Sequence, residues 1–313
     1  MFPDGKRPRL PNGRSGDTLI ESIPGVCEVD LQGPRDRPAD VLIELPHGAT
    51  RENHFDALRA KLVGVYPRDL KDFFFVNTDV GAPECAAEIA RCLAAGGAAV
   101  LVVRCLIPRT FIDCNRVIDG TATAGEMTPG LPEYVGDAQD VQALVRLHGS
   151  YQKLARQAYE LVCSPGGIAL TLHTYAPRNV RIDKIDDGVV RALRRAYEPQ
   201  AYERWERRPE VDLISEDVDG RRLAPPAIVE SLKREYAAIG IEVGENATYR
   251  LHPETMGYVR SVAHPGRVLC MEISRELLAA PFAPFEEMCI GQQKVQHMVN
   301  PIVSALSIRA AID

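Results

Sequence analysis

The chain has 313 residues, 45% of them hydrophobic and 26% charged, an ordinary composition for a soluble globular protein. Its net charge of −6 speaks against a nucleic-acid binder, which needs a basic face. No apolar run approaches the roughly 20 residues that span a bilayer.

The start, MFPDGKRPRLPNGRSGD, is rich in Gly, Pro and Arg with no apolar core behind it, so it does not read as a secretory signal. Residues 1–38 are expected to be a mobile tail and lead-in, and residues 39–313 a single α/β domain. VLIEL (41–45) suits a buried strand and runs into the loop PHGATREN. A short helix is expected within 54–65. FFFVNTD (73–79) precedes APECAAEIARCLAAG (82–96), whose alanines and i, i+3, i+4 apolar spacing predict a helix. Thr78 and Asp79 stand where its N-cap is expected, and Gly96-Gly97 marks its stop.

AAVLVVRCLI (98–107) predicts a second buried strand, and RTFIDCNR (109–116) a strand-like segment. Residues 117–136 read as a long Gly-, Thr- and Pro-rich surface loop of the kind that borders sites. A long amphipathic helix is expected over 140–163 and a third buried strand over 167–177. A charged, helix-prone region spans 183–240, GRVLCMEISREL (266–277) holds one more strand, and 284–309 forms a final helix. Strands alternating with helices imply an α/β fold with a largely parallel sheet, in which ligands bind beyond the C-terminal strand ends. The eight cysteines are scattered, without C-x-x-C, and several lie in apolar runs. Free buried thiols in a reducing cytoplasm fit that pattern better than a disulfide framework.

Three polar residues stand at or near strand ends: His47, His173 and Glu272. One histidine there usually does no more than hydrogen-bond locally, but two, each leading into a Gly- or Pro-containing loop, suggest a shared site. Neutral imidazole is a good zinc ligand, and hydrolytic zinc sites use three protein ligands plus water. Asp79 is the preferred third ligand, since a following helix would orient it and favour its charge. Glu52 and Glu84 compete with it, and spacing does not decide among them. Glu272, flanked by apolar residues in VLCMEIS, is costly to bury unless paired or used, and burial would raise its pKa toward general-base range. Arg109, Asn115 and Arg116 can bind a carboxylate through charge and paired hydrogen bonds, while Asp113 could simply pair with an arginine.

Five segments in order carry a resemblance: LPHGAT (45–50), DVGA (79–82), PRTFIDCNR (108–116), HTYAP (173–177) and MEISREL (271–277). In these the chain resembles N-formylglutamate amidohydrolases, a family similar to zinc carboxypeptidases and aspartoacylases. Pro108 stands where the family has serine, and Ser274 where it has arginine. The resemblance implies a zinc-exopeptidase (phosphorylase/hydrolase-like) fold: a mixed, largely parallel central sheet flanked by helices. It implies one Zn2+ per chain on His47, Asp79 and His173, with Glu272 as catalytic base. Glu52 is the runner-up ligand, because Arg51-Glu52 resembles a carboxypeptidase loop pair but stands two residues farther from its histidine.

By the same resemblance, Arg109 would polarise the scissile carbonyl or help bind the carboxylate, and Asn115 with Arg116 would hold that carboxylate. Tyr249, His264 and Asn246 would line the pocket. The implied activity is hydrolysis of the amide bond of an N-acyl, N-formyl-like amino acid or a related small substrate with a free carboxylate, in the cytoplasm. A carboxypeptidase acting on a peptide C-terminus and a non-catalytic carboxylate binder are the alternatives. No nucleic-acid or membrane partner is expected.

Overall fold

A computed structural model describes residues 20–118, 128–182, 184–279 and 281–307. Residues 1–19 of the expected tail and the centre of the expected 117–136 loop lie outside these. In chain order the elements are strands β1 (Cys27–Gln32) and β2 (Val41–Leu45), then helices α1 (Glu52–Arg59), α2 (Leu70–Asn77) and α3 (Ala82–Ala95). Strand β3 (Val100–Cys105), helix α4 (Ala138–Cys163) and strand β4 (Ile168–Tyr175) follow. Helices α5 (Val189–Ala196) and α6 (Pro199–Tyr202) lead to β5 (Val211–Ile214), α7 (Pro226–Ala238) and β6 (Val243–Glu245). The chain closes with α8 (Met256–Ala263), β7 (Val268–Ser274), a 3-10 turn at Arg275–Leu277 and α9 (Gln292–Ser307).

The seven strands form one sheet in the order β1-β3-β2-β4-β7-β5-β6. Its centre, β3-β2-β4-β7, is parallel. β1 joins β3 antiparallel at one edge; at the other, the parallel pair β5-β6 runs antiparallel to β7. This is the expected α/β architecture, mixed and mostly parallel. Among the described residues no helix is long and apolar enough to cross a membrane.

Strand alternation sorts the core into two layers. Val41, Ile43, Leu170, Leu172, Met271 and Ile273 pack with α3, α7 and α9 on one face. Leu42, Ala169, Val268 and Cys270 pack with α1, α2 and α4 on the other. Period two therefore puts Glu44, Thr171, His173 and Glu272 on the α4 face. Glu44 is buried there and accepts from the hydroxyls of Tyr151 (2.9 Å) and Tyr159 (2.7 Å), which satisfies its carboxyl oxygens in the core.

Several local expectations are corrected. Part of the lead-in, Cys27–Gln32, is a sheet strand. The segment 109–116 is a series of turns rather than a strand: Phe111 N–H donates to Pro108 O, and Asp113 accepts from the Asn115 amide. FFFVN, to which the sequence assigns no element, lies in α2, where Phe73, Phe74 and Phe75 are all buried. The first short helix begins earlier, at Glu52, and the last begins later, at Gln292. The region taken as helix-prone also contains β5, all four residues of which are buried. Asp79 does not cap α3. Gly81 occupies the N-cap position with φ 86°, and a Cβ there would come within 2.8 Å of the Leu278 side chain.

Candidate metal centre and active-site cavity

The C-terminal ends of β4 and β7 open on one cavity of about 220 Å³, lined by Thr174, Tyr175 and Glu272 and reached by Asp79 from the loop after α2. His47 and His173 touch Asp79 but are not in the cavity lining. His47 arrives two residues after β2. The chain can turn there because Gly48 packs directly on β3: a Cβ would lie 2.5 Å from Arg104 Cγ and 2.9 Å from the Cys105 carbonyl oxygen. Thr78 Oγ1 donates to Ala49 O at 2.8 Å, tying this turn to the segment that carries Asp79.

Asp79 sits between the two histidines. Its Oδ2 lies 2.8 Å from His173 Nδ1 and 3.3 Å from His47 Nδ1. The ring centroids of the histidines are 4.9 Å apart. All three side chains are buried, their ligand atoms lie within 4.8 Å of one another, and the group can hold a metal ion. The competing carboxylates are committed elsewhere. Glu52 pairs with Lys71 at 2.6 Å, and Glu84 pairs with Arg51 at 2.6 Å.

The other ring nitrogen of His47, Nε2, is 2.7 Å from Asp113 Oδ1. Asp113 Oδ2 in turn accepts from Arg109 Nη2 at 2.9 Å. Burial works against ionising Asp113, but Arg109 and His47 outweigh it and hold the carboxyl well below its usual range. Burial opposes Asp79 likewise, yet the two histidines keep it ionised. For His47, burial and Arg109 disfavour the protonated ring, while Asp113 and Asp79 overcome both and raise its pKa.

Glu272 is the ladder neighbour of His173 across β4-β7. It lines the cavity, and its Oε2 is enclosed without a hydrogen-bond partner. Desolvation is the main influence and pushes its pKa up to about 7; His173 opposes this and the nearby Asp79 charge adds to it.

The remaining expected residues separate. Arg109 and Tyr249 line the cavity. Asn115 Nδ2 lies 3.4 Å from His173 Nε2, beside the metal group. Arg116 does not line the cavity: its guanidinium donates to Thr128 O and Oγ1 and to Asn115 O. His264 ends α8 and stacks on Tyr159 with centroids 6.1 Å apart, also away from the cavity lining. Asn246 holds a turn with φ 56°, its Oδ1 accepting from the Ser215 and Glu216 amides. From the expected border loop, Thr128, Pro129 and Pro132 reach the cavity.

Sequence reasoning gave no role to Arg208 and Arg275, both of which line the cavity. Arg275 is buried and donates to Val76 O and Thr174 O, bracing the segments on which Asp79 and His173 stand. Arg208 lies just before β5. Recognising VDLI as a buried strand antiparallel to β7 would have brought it to this end of the sheet.

No protein-family model matches the chain, and no curated protein matches it. Among solved structures, the crystal structure of N-formylglutamate amidohydrolase from Ralstonia eutropha matches with a TM-score of 0.53 at 18% identity, over 90% of this chain and 96% of that one. Gene product Atu2144 from Agrobacterium tumefaciens matches at 14% identity over 90% and 94% of the two chains, with a TM-score of 0.48. Succinylglutamate desuccinalase from Vibrio parahaemolyticus matches at 11% identity over 89% of this chain and 61% of that one, with a TM-score of 0.41. The first likeness establishes a shared fold.

Proposed function

We propose that this chain is a zinc-dependent amide hydrolase of the N-formylglutamate amidohydrolase type, acting on a small N-acyl amino acid. The observation that carries the reading is the buried His47-Asp79-His173 group beside Glu272: His173 and Glu272 are ladder neighbours, Asp79 and Glu272 line one cavity, and Glu272 Oε2 has no partner. The fold shared with the Ralstonia amidohydrolase and the ordered motifs support it.

Two imidazoles and one carboxylate are a donor set suited to a hydrolytic zinc ion. In both histidines it is Nδ1 that faces Asp79, and His47 Nε2 is left to donate to Asp113, the arrangement that orients a ligating imidazole. His47, Asp79 and His173 would hold one zinc ion, which when bound supplies Lewis acidity, acidifying water and polarising an amide carbonyl.

The chain's own groups do the rest. Glu272, with its pKa near neutrality, accepts a proton from the attacking water and returns it to the departing amine nitrogen. Arg109, fixed by Asp113 at the cavity, offers a positive charge to the oxyanion that develops on the carbonyl. Tyr249 lines the same cavity, and Asn115 Nδ2 lies 3.4 Å from His173 Nε2.

Metal analysis of the gently purified protein, with assays on N-formyl-L-glutamate, other N-acyl amino acids and dipeptides, tests the reading. Stoichiometric zinc and chelator-sensitive release of a free amino acid from an N-acyl substrate are expected. Dipeptide hydrolysis alone would identify a carboxypeptidase instead, and absence of both zinc and turnover would sink the hydrolase.

A further inference from the structure

We infer that Asn115 is a positioning residue for His173: its side-chain amide keeps the metal-free imidazole protonated on Nδ1, and rotates by a half-turn when a metal ion takes that nitrogen. This role rests on the metal-hydrolase reading of the same site and ties its loading to helix α8.

The two histidines are partnered differently. His47 Nε2 faces a carboxylate oxygen, Asp113 Oδ1, at 2.7 Å, an acceptor that suits a ring ligating through Nδ1. His173 Nε2 faces instead the amide nitrogen of Asn115, at 3.4 Å. An amide nitrogen only donates, so the ring nitrogen opposite it must accept. The proton of a neutral His173 then sits on Nδ1, where Asp79 Oδ2 receives it at 2.8 Å. Asn115 is absent from the cavity lining, so it acts on the site through His173.

The direction of the Asn115 amide is set from its other end. Gly257 N–H donates to Asn115 Oδ1 at 3.2 Å, which leaves Nδ2 for the imidazole. Gly257 is buried in the first turn of α8, where amides have no partner within the helix. Its neighbours are served otherwise. Met256 N–H donates to Asn115 O at 3.1 Å, and Tyr258 N–H to the capping Thr255 Oγ1 at 3.2 Å. The Asn115 N–H donates to Asp113 Oδ1 at 2.8 Å. With the backbone pinned on both sides, rotation of the side-chain amide is the freedom left.

A metal ion on His173 Nδ1 needs the lone pair that the proton occupies. That proton leaves to solvent and one from solvent arrives at Nε2, so the ring stays neutral and the protons balance. Nε2–H then points at the N–H groups of Asn115, and donor faces donor. A half-turn of the amide presents Oδ1 to Nε2–H, giving the ligating imidazole its outer hydrogen bond. The same rotation takes the acceptor from Gly257 N–H and leaves a buried donor at the start of α8.

The test is nuclear magnetic resonance of the 15N-labelled full chain, before and after titration with zinc ion alone. Long-range 1H–15N correlation reads which nitrogen of His173 carries the proton. Nδ1 is expected without metal and Nε2 with zinc. Zinc should also shift both Asn115 side-chain amide protons and speed exchange of the Gly257 amide about tenfold or more, as loss of one hydrogen bond implies. In Asn115→Asp a carboxylate accepts from Nε2–H and Gly257 N–H together, with no rotation. That variant should carry a proton on Nε2 even without metal, and zinc should leave its Gly257 exchange unchanged.

A metal-free wild type protonated on Nε2 alone would overturn the inference. So would Gly257 exchange that zinc leaves unchanged in wild type or speeds equally in Asn115→Asp. A protein that takes up no zinc removes the metal-hydrolase reading and the rotation with it, while the metal-free tautomer is decided separately. The expected shifts without turnover of any N-acyl substrate remove the hydrolase alone.

Discussion

Asp79 Oδ2 and His173 Nδ1 lie 2.8 Å apart although 94 residues separate them in the chain, and the same oxygen reaches His47 Nδ1 at 3.3 Å. One carboxylate oxygen thus joins the loop after α2 to β4 and to the turn after β2. An Asp79→Ala variant is expected to lose at least about a hundredfold in zinc affinity, more than the loss typical of outer partners. Glu52→Gln and Glu84→Gln should retain wild-type metal content, because their carboxylates face Lys71 and Arg51. Competitive metal titration checks all three.

Asp113 touches the metal group only through His47 Nε2, at 2.7 Å. Replacing it with alanine frees the ring to rotate and leaves the Arg109 charge unpaired beside it. Zinc affinity is expected to fall about 10- to 100-fold while one ion per chain still binds at high zinc, which equilibrium dialysis would show.

Glu272→Gln keeps size and strand context but cannot accept a proton. The rate constant for hydrolysis should drop about 10²- to 10⁴-fold with zinc content unchanged. A variant that keeps wild-type kcat would remove Glu272 from the chemistry.

Asp140, in the first turn of α4, is buried and accepts from the amides of Val63 (2.9 Å) and Gly64 (2.8 Å) and from the Tyr66 hydroxyl (2.8 Å). Burial alone would raise its pKa; these donors and Arg59 outweigh it, and the pKa is lowered. A depressed folded-state pKa means the stabilisation is fully present above the unfolded value of about 3.9 and is lost as pH falls through the folded one. Asp140→Asn should therefore cost about 1–3 kcal/mol at pH 7, and the gap to wild type should narrow as the pH falls below about 4. Urea unfolding at pH 7 and pH 3 measures both arms.

Much of the framework was legible in the sequence because apolar runs and helical periodicity act over a few residues. VLIEL, AAVLVVRCLI, IALTL and VLCMEI each declare a buried strand, and the alanine-rich 82–96 segment declares a helix. His47, His173 and Glu272 could be seen at strand ends for the same reason. The short strands β5 and β6, of four and three residues, left no such trace amid charged neighbours, so Arg208 went unremarked. The segment 109–116 misled because its apolar residues suggested a strand, whereas its polar groups are satisfied by turns.

By itself, then, the sequence determined the buried strands β2, β3, β4 and β7, the helices α3 and α4, the α/β class and the polar residues that stand near strand ends, since periodicity and propensity are local properties. Tertiary structure alone decided that Asp79 joins the two histidines while Glu52 and Glu84 face cations, that Arg116 turns to Thr128, and that Arg208 lines the cavity. These are outcomes of charge pairing and burial between segments far apart in the chain, and such pairings exist only once the sheet has brought the strand ends together.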